Sequence, residues 1–69
     1  MALSARNSLS GTVQSVTSDE IMAEVVIELS DGQAVTATVT RGSAGRLDLA
    51  AGDAVEAVVK AGDVIVKTD

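Results

Sequence analysis

Three short stretches of the sequence combine hydroxyl groups, cations and turn backbone, which together can hold an oxyanion without reacting with it. Hydroxyl and N–H groups donate hydrogen bonds, consecutive N–H groups in a turn form an anion-binding concavity, and Arg or Lys neutralises the charge. The stretches offer the Ser4 hydroxyl, the Ala5 backbone and Arg6; the hydroxyls of Thr40 and Ser43; and the Lys60 ammonium with the turn N–H groups of Ala61 and Gly62.

Each stretch taken alone has a more ordinary interpretation. Arg6 is a typical surface charge, and Thr40 and Ser43 are typical caps of a short helix. Lys60 is typical of an edge strand that avoids pairing with other molecules. No single stretch therefore predicts a function.

The composition argues against an enzyme. The chain has no His and no Cys, so it lacks the commonest general base, the thiol nucleophile and the commonest metal ligands. The adjacent carboxylates of Asp19 and Glu20 fit a polar turn, and no phosphate-binding or dinucleotide-binding motif is present. We expect binding without catalysis and no direct metal-cation ligands.

Charge and length restrict the classes of partner that the chain could bind. Ten acidic residues face five basic ones, for a net charge of −5, and there are no aromatic residues. These features argue against nucleic acid, which needs neutralised phosphates or base stacking. No apolar run approaches the ~20 residues of a membrane span, and no signal-peptide core is evident, so we expect a cytoplasmic protein. A single domain over residues 1–69, with no disulfide, predicts oligomerisation as the source of extra stability.

Period-two alternation of apolar and polar residues predicts β-strands. Asp31-Gly32 is a strong hairpin signal, and residues 60–63 predict a turn between the last two strands. The segment of residues 40–53 breaks the alternation, and we expect Ser43 to cap one helical turn that reaches Leu47. The five predicted strands are residues 9–13, 23–29, 35–40, 55–60 and 64–67.

This order predicts an all-β fold, a small five-stranded OB-like Greek-key barrel with one short helical turn between strands 3 and 4. In the second predicted strand, Val25, Ile27 and Leu29 share one side, opposite Glu24, Val26 and Glu28. Leu9 and Gly11 fall on the same side of the first strand as Val13.

Four motifs, taken in their order along the chain, resemble those of a known protein family. "SARN", "AEVVIEL", "TATVTRGSAGRLDLAAGDAV" and "AVVKAGDVIV" are similar to the Mop domain of the molbindins, the molybdenum-pterin-binding proteins of the TOBE-like group. The resemblance runs from about Ser4 to Val66. It implies an OB-like barrel that binds molybdate, and usually tungstate, at the interfaces of a homohexamer built as a trimer of dimers. It also implies a role in molybdenum storage.

The resemblance also implies a division of the site between subunits. Ser4, Ala5 and Arg6 would act with Lys60 and Ala61 of the same subunit. Thr40 and Ser43 would come from a neighbour. Gly62 stands where the family often has Ser, so one hydroxyl is lost while the turn N–H groups remain.

Two other interpretations stay open. The chain could be a regulatory or interaction module that senses the oxyanion and acts through a partner protein. It could also be a small barrel with a subunit interface and no ligand.

Overall fold

The strands and the short helix follow the predicted order. The computed structural model describes residues 7–68. The strands form one antiparallel sheet in the order β3-β2-β1-β4, with the helix between the third and fourth strands. The elements are β1 (Asn7–Ser18), β2 (Met22–Leu29), β3 (Ala34–Thr40), α1 (Arg41–Arg46), β4 (Ala54–Val59) and a 3₁₀ turn (Ala61–Asp63).

The long first strand joins two parts of the sheet. β1 pairs with β4 through residues 7–12 and with β2 through residues 11–18, so Gly11 and Thr12 are paired on both sides. The pairing with β2 shifts register between Val13 and Ser15. Such a bulge bends a strand and increases its twist. The bend lets the sheet curl into a half-barrel.

Gly11 marks a close approach between β1 and β2. A Cβ atom at this position would lie 2.6 Å from the Glu28 carbonyl oxygen and 2.6 Å from Ile27 Cγ2. The carbonyl belongs to the backbone of the paired strand and cannot move away without disturbing the ladder. The tight curl of the sheet at this point therefore requires glycine.

The core lies on the inner face of the half-barrel and follows the predicted alternation. Its buried members are Val13, Val25, Ile27 and Ala57. Leu9 shares the side of Val13 in the alternation of β1 but is 40% exposed. Half-buried residues complete the cluster: Val16, Leu29, Val35, Ala37, Val39, Leu49 and Val55.

The turn predicted at Asp31-Gly32 is confirmed. Gly32 has a φ of +88°, a conformation that glycine adopts without a steric penalty. The Leu29 N–H donates to the Gln33 carbonyl at 2.7 Å, and the Asp31 carboxylate accepts from the Gln33 N–H at 3.0 Å. The turn therefore fixes the register of β2 against β3.

Asp19 organises the turn between β1 and β2. Its Oδ1 atom accepts the N–H groups of Met22 and Ile21, each at 2.8 Å. The hydrogen bond from Met22, followed by that from Ile21, lowers the pKa of the Asp19 carboxyl below its ordinary value. The polar-turn interpretation of this acidic pair accounts for Asp19.

The prediction of a fifth strand at residues 64–67 is wrong, and the sheet has four strands. After the 3₁₀ turn, the Val64 N–H donates to the Ala61 carbonyl at 3.3 Å, and the chain then continues without ladder pairing. Ile65 is 91% exposed and Val66 is 84% exposed. The alternation correctly shows a strand-like sequence, but alternation alone does not supply a neighbouring strand.

An open groove lies between β3 and β4, where a further strand would close the barrel. Its volume is about 700 Å³. Its lining includes the inner residues of β3 and β4, the loop residues Leu47 and Leu49, and the acidic residues Glu56 and Asp63. The half-barrel therefore leaves part of its apolar inner face uncovered by residues 7–68.

Candidate functional site

The structure brings Thr40 and Ser43 together at the start of α1. The Thr40 hydroxyl donates to Ser43 Oγ at 2.8 Å, and the Ser43 N–H donates to Thr40 Oγ1 at 3.0 Å. Thr40 is therefore the N-cap of the helix, and the prediction that Ser43 caps it is wrong. The physical reason is that the extended backbone of Thr40, at the end of β3, aims its hydroxyl at the free N–H groups of the first turn.

The hydroxyl group of Ser43 is the centre of a small hydrogen-bonded cluster. Its oxygen accepts from the Thr40 hydroxyl at 2.8 Å and from Arg46 Nη2 at 3.2 Å. A hydroxyl oxygen has two acceptor positions and one hydrogen to donate. Both acceptor positions are used, so the hydrogen remains for a further acceptor. Hydrogen bonds in a chain polarise one another, which makes this hydrogen a stronger donor.

Arg46 is a cation that the sequence reasoning did not include in the site. It lies one turn after Ser43 and reaches back to the serine oxygen. Residues three apart on a helix are neighbours, so the spacing Thr40, Ser43, Arg46 could have revealed the cluster. The guanidinium keeps further N–H groups for an anion, and the helical turn thus presents two hydroxyls and one positive charge.

Both ends of α1 are fixed by backbone hydrogen bonds. The Arg41 N–H donates to the Ile21 carbonyl at 2.8 Å, which ties the helix to the turn before β2. At the other end, the Asp48 N–H donates to the Gly45 carbonyl at 3.1 Å, and the Leu49 N–H donates to the Ala44 carbonyl at 3.2 Å. Asp48 has a φ of +53°, so the helix ends in a Schellman motif.

Packing then fixes the position of the helix on the sheet. Ala44 is buried, and α1 packs against β2 and β3. The small side chain of Ala44 lets the helix lie close to these strands. The Thr40–Ser43 pair is therefore held on a rigid support at the edge of the sheet.

Lys60 and Ala61 lie where β4 ends and the 3₁₀ turn begins. Lys60 is exposed and precedes the turn, and the Asp63 N–H donates to its carbonyl at 2.9 Å. The N–H groups at the start of such a turn have no carbonyl partner within it. The predicted combination of an ammonium with turn N–H groups is present at this position.

The other predicted site residues, Ser4, Ala5 and Arg6, lie outside the described residues. Asn7, the first described residue, pairs with Val59, and its side-chain amide donates to the Val59 carbonyl at 3.3 Å. The described chain therefore begins beside the residue that precedes Lys60. Asn7, the last residue of the "SARN" motif, therefore lies at the same end of the sheet as the Lys60 turn.

The Thr40–Ser43 pair and the Lys60–Ala61 turn, the two described donor sets, lie at opposite ends of β1 along the sheet. Lys60 follows the β4 residue that pairs with Asn7, whereas Thr40 pairs with Met22, next to the turn that follows Ser18. None of the side-chain hydrogen bonds within residues 7–68 joins the Thr40–Ser43 pair to Lys60 or Ala61. Within one chain, the described residues of each set lie next to one another, but no side-chain hydrogen bond among residues 7–68 connects the two sets.

The described residues present neither a cluster of metal ligands nor a membrane-spanning helix. Across residues 7–68, no three carboxylate, imidazole or thiol groups are clustered so that they could hold a metal ion. Among the helices of this described range, none has the length and apolar character needed to cross a membrane. The Thr40–Ser43–Arg46 cluster and the Lys60 turn are therefore the anion-binding candidates that the described residues present.

Comparison with known proteins gives a consistent result. The TOBE domain profile matches residues 3–66. The chain is 38% identical over 66 residues to molybdenum-pterin-binding protein 3 of Clostridium pasteurianum, covering 96% of this chain and 97% of that protein. The fold matches a molybdate-binding protein from Sporomusa ovata with a TM-score of 0.93 and 37% identity, over 99% of this chain and 100% of the other.

A second solved structure is that of the cytoplasmic molybdate-binding protein ModG with molybdate bound. It matches with a TM-score of 0.89 and 40% identity, and the match covers 94% of this chain and 46% of ModG. The profile match covers most of the chain, and the similarity to the clostridial protein extends over nearly the full length of both. The chain therefore belongs to the TOBE domain family and, within it, to the molbindins with their Mop domain.

Proposed function

We propose that this protein binds molybdate, with tungstate as an alternative ligand, at the interfaces between subunits of a homohexamer arranged as a trimer of dimers. It acts in the cytoplasm as a store of molybdenum and catalyses no reaction. The whole chain, residues 1–69, serves as one Mop domain.

The cluster in which Thr40 and Arg46 both contact Ser43 Oγ is the observation that carries this proposal. Molybdate is a tetrahedral dianion whose oxygens only accept hydrogen bonds at neutral pH. A site for it needs donors and positive charge. Ser43 and Arg46 supply both, and Thr40 holds the Ser43 hydroxyl in place. Hydrogen bonds to a charged group contribute about 1.5–3 kcal/mol each. A relative of 40% identity has been solved with molybdate bound, which supports this choice of oxyanion.

The complete site is proposed to form between two subunits. Ser4, Ala5 and Arg6 act together with Lys60 and Ala61 of one subunit, and Thr40 and Ser43, joined by Arg46, come from the neighbour. The positions of the two described donor sets at opposite ends of β1 support this division, because each set alone leaves part of a tetrahedral anion without donors.

Burial supports the proposed assembly. The buried hydrophobic core of the described chain consists of six residues, none of which is aromatic. Several apolar side chains are largely exposed, including Leu47 at 67% and Ile65 at 91%. Subunit contacts would remove these surfaces from water. Sedimentation at micromolar concentration should show a hexamer, and a folded monomer would contradict the assembly.

Calorimetric titration with molybdate, tungstate and sulfate tests the binding. Arg6→Ala and Lys60→Ala should each weaken molybdate binding by about 1.5–3 kcal/mol, because each removes a charged donor. Lys67→Ala is the matched control, since it removes an exposed cation outside both donor sets. Failure of the unaltered oligomer to bind any of the three anions would refute the proposed function.

A sensing role would require a partner protein. Affinity purification of the molybdate-loaded protein should return no stoichiometric partner if storage is its role. Recovery of a stable partner in fixed proportion would favour the oxyanion-sensing alternative.

A further inference from the structure

The turn before β2 is joined directly to the helix that carries the Thr40–Ser43 pair. The N–H of Arg41, the first residue of α1, donates to the Ile21 carbonyl at 2.8 Å. The next turn residue, Met22, pairs with Thr40 at this end of the β2–β3 ladder. Two consecutive residues of the turn therefore contact the two residues at which β3 passes into α1.

A single carboxylate oxygen fixes both of these turn residues. Asp19 Oδ1 accepts the N–H groups of Ile21 and Met22, each at 2.8 Å. The Asp19 N–H donates to the Met22 carbonyl at 2.9 Å. Ile21 thus has its N–H bound to Asp19 and its carbonyl bound to Arg41. A chain of hydrogen bonds runs from the Asp19 side chain, through the backbone of one residue, to the start of the helix.

Packing does not replace these hydrogen bonds. Residues 17–22 are all exposed, and Ile21 is 73% exposed. A turn with no buried side chain takes its conformation from its hydrogen bonds, and the short Asp side chain reaches backbone N–H groups two residues on.

The charge state of Asp19 suits this role. The hydrogen bond from Met22, followed by that from Ile21, lowers the pKa of the Asp19 carboxyl, and the positive charge of Arg41 adds a smaller lowering. The carboxyl is therefore ionised at neutral pH. Its two hydrogen bonds are charge-assisted, which makes them stronger than bonds between neutral groups.

We propose that Asp19 is a positioning residue of the oxyanion site, which holds the Thr40–Ser43 pair in its binding orientation through the backbone of Ile21. A carboxylate offers no donor to a dianion, so its contribution is indirect. This inference rests on the proposed function, because it concerns the same pair of hydroxyls.

The orientation of the pair depends on the backbone that Asp19 holds. The Thr40 hydroxyl reaches Ser43 from an extended backbone, with a φ of −71° and a ψ of 150°. Arg41 follows directly, so the hydrogen bond from its N–H to Ile21 fixes the direction in which the chain leaves Thr40. Loss of that bond would let the pair move relative to the sheet.

Substitutions of Asp19 test the side-chain part of this link. Asp19→Ala removes the acceptor of both N–H groups and should raise the Kd for molybdate roughly tenfold, the lower end of the range for residues that orient ligand-binding groups. Asp19→Asn keeps an oxygen acceptor at the same reach and should return the Kd close to that of the unaltered protein. A residue that acted through its charge alone would not be rescued by asparagine.

Asp31→Ala is the matched control at the other end of β2. The Asp31 carboxylate accepts from the Gln33 N–H at 3.0 Å and from the Gln33 side-chain amide at 2.9 Å. Its loss weakens a turn of the same kind away from α1. This variant should lower the urea midpoint and leave the Kd for molybdate unchanged. An equal loss of affinity in Asp31→Ala and Asp19→Ala would overturn the proposal, because it would show a general loosening of the sheet.

Substitutions of Arg41 test the backbone part of the link. Arg41→Pro removes the N–H that donates to Ile21, at the first helical position, where proline is tolerated. The extended backbone of Thr40 also suits a following proline. Arg41→Ala is the comparator, because it removes the same charge and keeps the N–H. Arg41→Pro should bind molybdate several-fold more weakly than Arg41→Ala. Combined with Asp19→Ala, it should cost less than the product of the two separate losses, because both changes break one chain of hydrogen bonds.

Titration calorimetry gives each Kd, and sedimentation compares the oligomeric mass of each variant with that of the unaltered protein. An unchanged Kd in Asp19→Ala would overturn this inference and leave the proposed function standing, whereas failure of the unaltered protein to bind would refute the proposed function itself. Equal Kd values for Arg41→Pro and Arg41→Ala would overturn the link through Ile21, and this pair decides the matter if Asp19→Ala does not fold. Loss of affinity together with loss of the oligomer would also overturn the proposal, because Asp19 would then act on assembly.

Discussion

Replacing Ser43 with Ala separates the ligand-binding role of this residue from its structural role. The substitution removes the Oγ atom that accepts from Thr40 and Arg46. It leaves the backbone hydrogen bond from residue 43 to Thr40 Oγ1, which is the N-cap contact. The helix start therefore keeps its cap, while the hydroxyl group proposed to bind the anion is lost.

The expected magnitudes differ between the two roles. Loss of the hydrogen bond from Thr40, together with the exposed one from Arg46, should lower the free energy of unfolding by about 0.5–1.5 kcal/mol. Loss of a donor to a dianion should weaken binding by about 1.5–3 kcal/mol, which is roughly 13- to 160-fold in Kd. Thr40→Val should lower the free energy of unfolding by about 1 kcal/mol more than Ser43→Ala does, because it removes the N-cap contact as well as the hydrogen bond to Ser43.

Titration calorimetry with molybdate and urea unfolding of the ligand-free protein measure the two quantities. Ser10→Ala is the matched control, because it removes an exposed serine hydroxyl on β1 away from α1. Its affinity and stability should match those of the unaltered protein. If Ser43→Ala binds molybdate with unchanged affinity, the assignment of the hydroxyl as an anion donor is wrong. If its stability falls by as much as that of Thr40→Val, the serine belongs to the cap.

Three further predictions concern the fold that supports the site. Gly11→Ala should lower the free energy of unfolding by about 1–3 kcal/mol, because the new Cβ would lie 2.6 Å from the Glu28 carbonyl oxygen; an unchanged urea midpoint would contradict this contact. Asp48→Gly should raise thermal stability by about 1 kcal/mol, since a left-handed conformation penalises a residue with a Cβ, and a lower melting temperature would argue against it. The lowered pKa of Asp19 should give stability that is complete above its ordinary value of 3.8 and lost as the pH falls through the lower folded value. Asp19→Asn should remove this part of the acid limb in unfolding experiments between about pH 2 and 6, and an unchanged limb would assign it to other carboxylates.

The sequence predicts local features well where they depend on near neighbours in the chain. The alternation of Val25 and Ile27 with Glu24 and Glu28 gives the strand and its inner face, because side-chain direction has a period of two. Asp31-Gly32 gives the hairpin, since the turn conformation needs glycine. These predictions are confirmed by the pairing of β2 with β3.

Features that depend on distant parts of the chain or on a partner are predicted less completely. The alternation in residues 64–67 is real, but a strand also needs an edge to pair with, and the segment finds none among residues 7–68. At the site, Thr40 and Ser43 follow from spacing. The contribution of Arg46 depends on a side-chain conformation that bends back over one helical turn. Assembly of the two donor sets depends on a neighbouring subunit, which remains a prediction.

The double pairing of β1 has a mechanical consequence. Gly11 and Thr12 are the positions where the β4–β1 half of the sheet overlaps the β1–β2–β3 half. These two residues join the two halves of the sheet, which end at β3 and β4. A small rotation at this junction would widen or narrow the mouth of the groove, although neither Gly11 nor Thr12 lines it. Amide hydrogen exchange at these two positions would therefore report the opening of a surface that they do not touch.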